Sequence, residues 1–282
     1  MPLDFPNIVP ENNLRLPDAL TIKHGPARLL SRFVLEGDKA VRRAGLKLRL
    51  RHDFDELAWI NKREVSNGSW FRLVDAYNPE YTILTPENAF WISGEDENGE
   101  VAASWAARVF HWPDTNLAEQ AVPFFYGRDD GQPCKVTAPA AKLIGGIVLC
   151  GGAAWIRPDF RGKGLGQLVP RILKAYAYSR WPVDWSICYV SRTLIEKGVA
   201  AGYGQKNFSY SIFYPGSPWG DLEVVVAYTP ILEAYEDLAN FMDEELSDVS
   251  TRNGAAMRFS SLSEHKVTNT SFDGVFHGNS SL

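Results

Sequence analysis

Three patterns in succession between residues 144 and 181 constrain this chain more than anything else in it. Residues 144–156 are apolar with little alternation, as expected of a strand covered on both faces. Past Pro158, the run Arg161-Gly162-Lys163-Gly164-Leu165-Gly166 reads as a tight glycine-rich turn. Leu165, Leu168, Val169, Ile172, Leu173 and Tyr176 then recur at helical spacing, which predicts a helix over 165–181. Pro170 falls in the first turn of that helix or just beyond, where proline costs least. A buried strand running through glycines into a helix points to an α/β fold and to an anion site. Glycines allow close backbone approach, successive N–H groups point outward, and the helix start carries roughly half a positive charge. Arg161 and Lys163 add full charges beside it.

Two familiar nucleotide motifs do not fit. After Gly162 and Gly164, the third glycine of a dinucleotide fingerprint is replaced by Gln167. Lys163 is followed by Gly164, where a P-loop needs Ser or Thr. A turn that merely joins strand to helix is the alternative, and the paired cations favour anion binding over it.

Around this segment the pattern is mixed. Residues 1–40 are rich in Pro, Asn and charge and read as an N-terminal extension packed on the domain, with one short helix near 27–35. Leu46, Leu48 and Leu50 alternate with Lys47, Arg49 and Arg51 as a half-buried strand. Asp53 is placed to cap a helix with the apolar stripe Leu57, Ile60 and Val65, ended by Gly68. A second short helix is expected over 70–77. Strands through Phe90-Trp91-Ile92 and over 101–112, around Asn98-Gly99, form a hairpin signal. Residues 113–142 read as a long irregular connection. Further on, 185–190 reads as a strand, 193–203 as a short helix capped by Ser191, 208–214 and 222–229 as strands, and 231–246 as a helix. The domain is expected over 41–246, and the polar stretch 247–282 as a tail. Such an order suits one mixed sheet with helices on both faces.

The stretch Ala154-Trp155-Ile156-Arg157-Pro158-Asp159-Phe160-Arg161-Gly162-Lys163-Gly164-Leu165-Gly166 resembles the acyl-CoA motif of the GNAT superfamily of N-acyltransferases. Arg161, Gly164 and Gly166 fill its fixed positions, and the likeness in element order runs from about residue 45 to 229. The resemblance implies a mostly antiparallel central sheet and acetyl-CoA as co-substrate. It implies that backbone at Ala154, Trp155 and Ile156 pairs with the pantetheine arm, with an N–H near Ala154 polarising the thioester carbonyl. Main-chain N–H groups of Gly162, Lys163, Gly164, Leu165 and Gly166 would hold the diphosphate. Tyr203-Gly204-Gln205-Lys206-Asn207-Phe208 is similar to the family's Tyr-x-x-x-Gly-Phe, with Asn207 in place of glycine. Asn tolerates positive φ, so the turn is expected to survive. Tyr203 is then a candidate general acid for the leaving thiolate; packing at a helix end is the other reading.

The expected strand at 144–156 holds no carboxylate that would take a proton from the amine. Asp184, Glu196, Glu95, Asp96 and Glu97 read as solvated surface charges, and no base is assigned. The five histidines are widely spaced, so no metal is expected. Cys150 reads as a packed thiol rather than a nucleophile, and Ser186 and Ser191 lack a hydrolase elbow. Phe124-Phe125-Tyr126 either lines an acceptor pocket or plugs the sheet edge. Net charge is −5 without a Lys/Arg block, which argues against nucleic acid and for a small-molecule or peptide amine acceptor. Three scattered cysteines fit a reducing compartment. No signal layout or stretch of roughly 20 apolar residues points to export or a membrane, so the expected location is cytoplasmic. A homodimer, a longer acyl-CoA or acyl-carrier-protein donor, and a non-catalytic CoA-binding module all stay open.

Overall fold

In the computed structural model residues 14–246 are described, apart from 129 and 218–219. The expected tail over 247–282 and the first part of the N-terminal extension lie outside the described residues.

Local patterns account for most elements. The leucine alternation forms β1 (Lys47–Arg51), with Leu48 and Leu50 buried. Helix α2 (Phe54–Ser66) starts where the Asp53 side chain accepts the Glu56 N–H at 3.0 Å. The hairpin consists of β2 (Ala89–Glu95) and β3 (Val101–Asn116). Then follow β5 (Gly145–Ile156), helix α4 (Leu165–Arg180) and β6 (Trp185–Val190), preceded by α3 (Ala121–Tyr126) and the two-residue β4 (Lys135–Val136). Strands β7 (Asn207–Ser217) and β8 (Gly220–Pro230) lead into α7 (Ile231–Phe241).

The eight strands form one sheet in the order β1-β2-β3-β5-β6-β8-β7-β4. Only β5 and β6 run parallel; every other described pair is antiparallel. Leu48, Phe90, Ile92 and Leu149 on one face pack against α4, α7 and a further helix, α1 (Ala27–Arg43). The other face carries two apolar clusters. One is built on α3 with Val148, Cys150 and Ile187, the other on α2 with Trp91, Ala106 and Trp155. The sheet is thus mixed and mostly antiparallel, with helices on both faces, as expected.

Several elements differ from the reading of the sequence. Helix α1 runs for 17 residues, well past 35, and crosses residue 40. Gly37 looks like a breaker, yet a Cβ there would lie 2.7 Å from Ile172 of α4, so the glycine permits helix-to-helix contact. Residues 70–77 are not a helix beyond one 3-10 turn at Asp75–Tyr77. Asn61 takes their backbone instead, donating to Phe71 C=O at 2.8 Å and accepting from Leu73 N–H at 3.0 Å. Residues 113–142 are more regular than expected, holding α3, β4 and a 3-10 turn at Pro139–Lys142. The helix over 193–203 splits into α5 (Arg192–Glu196) and α6 (Val199–Gly202) at Gly198, whose φ is +71°. Helix α7 ends at Phe241 and continues as a π-helical turn, Met242–Leu246. No helix among the described residues is long and apolar enough to cross a membrane.

Candidate active site

The central feature is a parting of the two parallel strands. β5 and β6 are paired only at Val148, Cys150 and the residue between, against Trp185, Ser186 and Ile187. Beyond that point β6 remains joined to β8 as far as Val190, while β5 remains joined to β3 as far as Ile156. A bulge accompanies the divergence: Ala153 and Ala154 together face Trp105, and Ala153 takes a φ of +49°. The N–H and C=O groups on the β6-facing edge of residues 151–156 therefore require partners other than β6. A Cβ at Gly151 would meet nothing within 4 Å, so one face of the sheet is uncovered beside the parting. At Gly152 it would lie 2.3 Å from the Tyr77 ring, so that side is filled.

The open end of β5 leads directly into the glycine turn. Gly162 and Gly164 adopt φ of +75° and +73°, and Gly164 is the N-cap of α4. The N–H groups of Gln167 and Leu168 both bond the Gly164 carbonyl, at 3.0 and 3.2 Å. Leu165 and Gly166 precede them, with no helical carbonyl behind, and their N–H groups face out of the helix end.

An ion-pair brace fixes the turn. Arg157 bonds Asp159 at 2.8 Å and Asp96 at 2.8 Å, and its N–H donates to Ala102 C=O. The bond to Asp159 comes first in raising the Arg157 pKa, and the same contact lowers that of Asp159. Lys163 Nζ lies 4.2 Å over the Phe160 ring. Arg161, on exposed surface, donates to Ile156 C=O at 3.0 Å and to Ser69 C=O at 3.2 Å. It thus fastens strand to turn while keeping its charge at the mouth. The Trp155 indole stacks on Trp70 and donates to Ser69 C=O, away from the parting. Leu165 is buried.

Tyr203 follows α6, beside the diverging half of β6, in a cluster with Cys188, Val190 and Phe208. Two buried cations of α4 hold that helix end. Arg171 donates to Gly202 C=O at 2.7 Å and forks onto Asp237; Lys174 donates to Tyr203 C=O at 2.7 Å and Gly204 C=O at 3.0 Å. The helix that begins at the glycine turn therefore also positions the tyrosine. Burial raises Tyr203 to about 12, pulls Lys174 down to about 8 and pushes Cys188 up to about 11. Positive φ falls at Gly204 (+71°) rather than at Asn207, so Asn207 does not replace a left-handed glycine.

The acids divide differently from expectation. Glu95 and Asp96 are buried and ion-paired, Glu95 with Arg49 and Arg51 and Asp96 with Arg157. Glu97 and Glu196 are exposed; Asp184 is exposed but accepts the Ile147 N–H at 2.8 Å. Ser191 sits at the N-cap of α5 without a capping bond, and its Oγ is enclosed without a partner. Burial raises the Cys150 thiol to about 12, consistent with packing. Phe124, Phe125 and Tyr126 are buried against Tyr189 and Tyr214 and cover the sheet face rather than its edge.

Sequence reasoning missed a polar group on that face, beside the parting. Tyr77 Oη donates to the Cys150 carbonyl at 2.9 Å, at the last paired position of β5. Arg108 is the β3 partner of Cys150, and Tyr189 lies two residues beyond Ile187 on β6. Asp75, half-buried on the 3-10 turn, has its pKa raised by burial against the opposing pull of Arg128 and Arg72. No local motif marks these four residues; sheet order brings them together.

No family model and no curated protein matches this chain. Among solved structures it is similar to the aminoglycoside acetyltransferase AAC(6')-Ib in complex with coenzyme A and kanamycin: 19% identity, 67% of this chain and 97% of that one, TM-score 0.40. It is also similar to FeeM, an N-acyl amino acid synthase from uncultured soil microbes, at 11% identity over 70% and 99% of the chains, TM-score 0.41. The GNAT domain of S. lividans PAT is similar at 15% identity over 66% and 94%, TM-score 0.36.

Proposed function

We propose that this chain is an N-acyltransferase of the GNAT type, moving an acetyl group from acetyl-CoA to a primary amine by direct attack in a ternary complex. The observation that carries this reading is the parting of β5 from β6, with the sheet face uncovered at Gly151 and β5 leading on to the glycine N-terminus of α4. An extended thioester with a diphosphate at one end fits both parts at once. The arm pairs with unpartnered main chain at Ala154, Trp155 and Ile156. The diphosphate rests on the N–H groups of Gly162 to Gly166, with Arg161 and Lys163 at the mouth.

In the transfer, the amine nitrogen attacks the thioester carbon; a C–N bond forms and the C–S bond breaks. Tyr203 gives its proton to the departing thiolate and regains one from the amine through solvent. The enclosure that raises Tyr203 to about 12 also raises the neighbouring Cys188 thiol to about 11. Near neutral pH the tyrosine therefore still carries its proton and has it to give. Holding both reactants together supplies much of the acceleration.

Thiol release from acetyl-CoA across a panel of amines tests this, with CoA affinity measured by calorimetry. CoA binding without turnover on any amine, and no effect of Tyr203→Phe, would leave a binding module in place of an enzyme.

A further inference from the structure

On the face opposite α4, Arg108 is a half-buried guanidinium with no ion pair among the described residues. It donates one hydrogen bond, to Ala76 C=O at 3.1 Å, and its plane lies over Phe110 at 4.7 Å. Its Nε is enclosed and makes no hydrogen bond. Tyr189 Oη, likewise enclosed, also makes none. Both side chains share the face on which β5 and β6 part, and Tyr189 borders both apolar clusters there. A buried cation without a counter-ion is costly, and so is each buried donor without an acceptor.

The charged groups nearby do not supply that counter-ion. Asp75, within electrostatic reach of Tyr189, is opposed by Arg72 and Arg128. The Cys150 thiol and the Tyr77 and Tyr189 hydroxyls are held neutral by burial, which also pulls the Arg108 pKa down. Tyr189 lies within electrostatic reach of Arg108, and a guanidinium N–H together with a hydroxyl is the donor pair that suits a carboxylate.

We propose that Arg108 and Tyr189 form the acceptor's anchoring subsite and that the acceptor is an amine carrying a carboxylate, of the amino-acid class. This rests on the reading of the chain as an N-acyltransferase. The carboxylate docks on Arg108 Nε–H and Tyr189 Oη–H, and the amine, a bond or two away, is left facing the thioester in the parting. Neutral amines without the carboxylate leave the guanidinium unpaired and bind poorly.

The test has two arms on the full chain. In the first, without CoA, thermal stabilisation is measured with L-phenylalanine, L-leucine and L-glutamate, each against its carboxamide and its decarboxylated amine. The acids are expected to stabilise the protein, with apparent affinity at least about 30-fold above the carboxamides, as charge-assisted bonds imply. Tyr189→Phe deletes a hydroxyl that bonds nothing in the protein, so the fold is kept, and the preference should fall about tenfold. Arg108→Gln should abolish it; should that variant fail to fold, Tyr189→Phe decides. In the second arm, thiol release from acetyl-CoA with the same compounds should follow the same order. Equal response to acids and carboxamides, or a preference unchanged in Tyr189→Phe, overturns the subsite. CoA failing to bind by calorimetry overturns the transferase reading instead, while the first arm still judges the subsite.

Discussion

Gly164→Val probes the glycine turn most directly. Gly164 holds φ +73° and ψ 0° at the start of α4. An L-residue in that region costs about 1–2 kcal/mol, and β-branching adds to it. The variant either keeps the conformation, losing that much stability while its side chain pushes the phosphates off the N–H groups, or rotates the peptide planes and turns the following N–H groups from the mouth. In the second case two bonds to a charged phosphate are lost, at about 1.5–3 kcal/mol each. With partial compensation by water, a net loss of about 3 kcal/mol corresponds to a CoA Kd on the order of 100-fold weaker. Gly99→Val is the control, since Gly99 has φ +81° and open surroundings in the hairpin turn. It should lose similar stability in urea and keep its CoA affinity by calorimetry. Equal CoA affinity in Gly164→Val and wild type, with the stability loss present, refutes the phosphate cradle.

Other consequences concern the same cleft. Gly151→Ala meets open space and should leave the melting temperature nearly unchanged while weakening CoA, whereas Gly152→Ala strikes the buried Tyr77 ring and should cost about 1–3 kcal/mol of stability in urea. Tyr203→Phe should lower kcat by about 100-fold with CoA affinity unchanged; because Tyr203 is held up at about 12, wild type should show no alkaline loss of rate from this group below pH 10 or so. Lys174 is pulled from 10.5 to about 8, so between those values the unfolded chain binds more protons and this group's contribution to stability rises with pH. Lys174→Met should flatten that rise in urea melts taken from pH 7 to 10, and a profile as steep as wild type would refute the burial of a charged ammonium.

What was legible in the sequence is what short-range pattern can encode. The leucine alternation of β1, the Asp53 cap and the hairpin at Asn98-Gly99 are decided by residues a few positions apart, and the structure has them in place. The glycine turn before α4 belongs to the same class: its positive φ values, its N-cap and the helix after it all lie within six residues. Helix α1 runs on past 35 to Arg43, and the approach of Ile172 from α4 at Gly37 is a contact that no sequence neighbour reports. Residues 70–77 have helical spacing, but Asn61, on another element, claims their backbone.

The candidate site divides along the same line. Tyr203 is singled out by likeness to a family motif, while the backbone there is held by Lys174 and Arg171 reaching across from α4, contacts between residues about 30 apart. Arg108, Tyr189 and Tyr77 lie on β3, β6 and a 3-10 turn, and nothing in their neighbours distinguishes them from ordinary strand and core residues. They become a group only because β5 stands between β3 and β6 and parts from one while staying with the other. The bulge at Ala153 is equally silent, since alanine carries no preference for a φ of +49°. In the proposed reaction, then, the donor half rests on a contiguous segment and the acceptor half on strand order. A diphosphate needs consecutive N–H groups, which one turn supplies; an acceptor must be met from several directions, which only assembled tertiary structure can do.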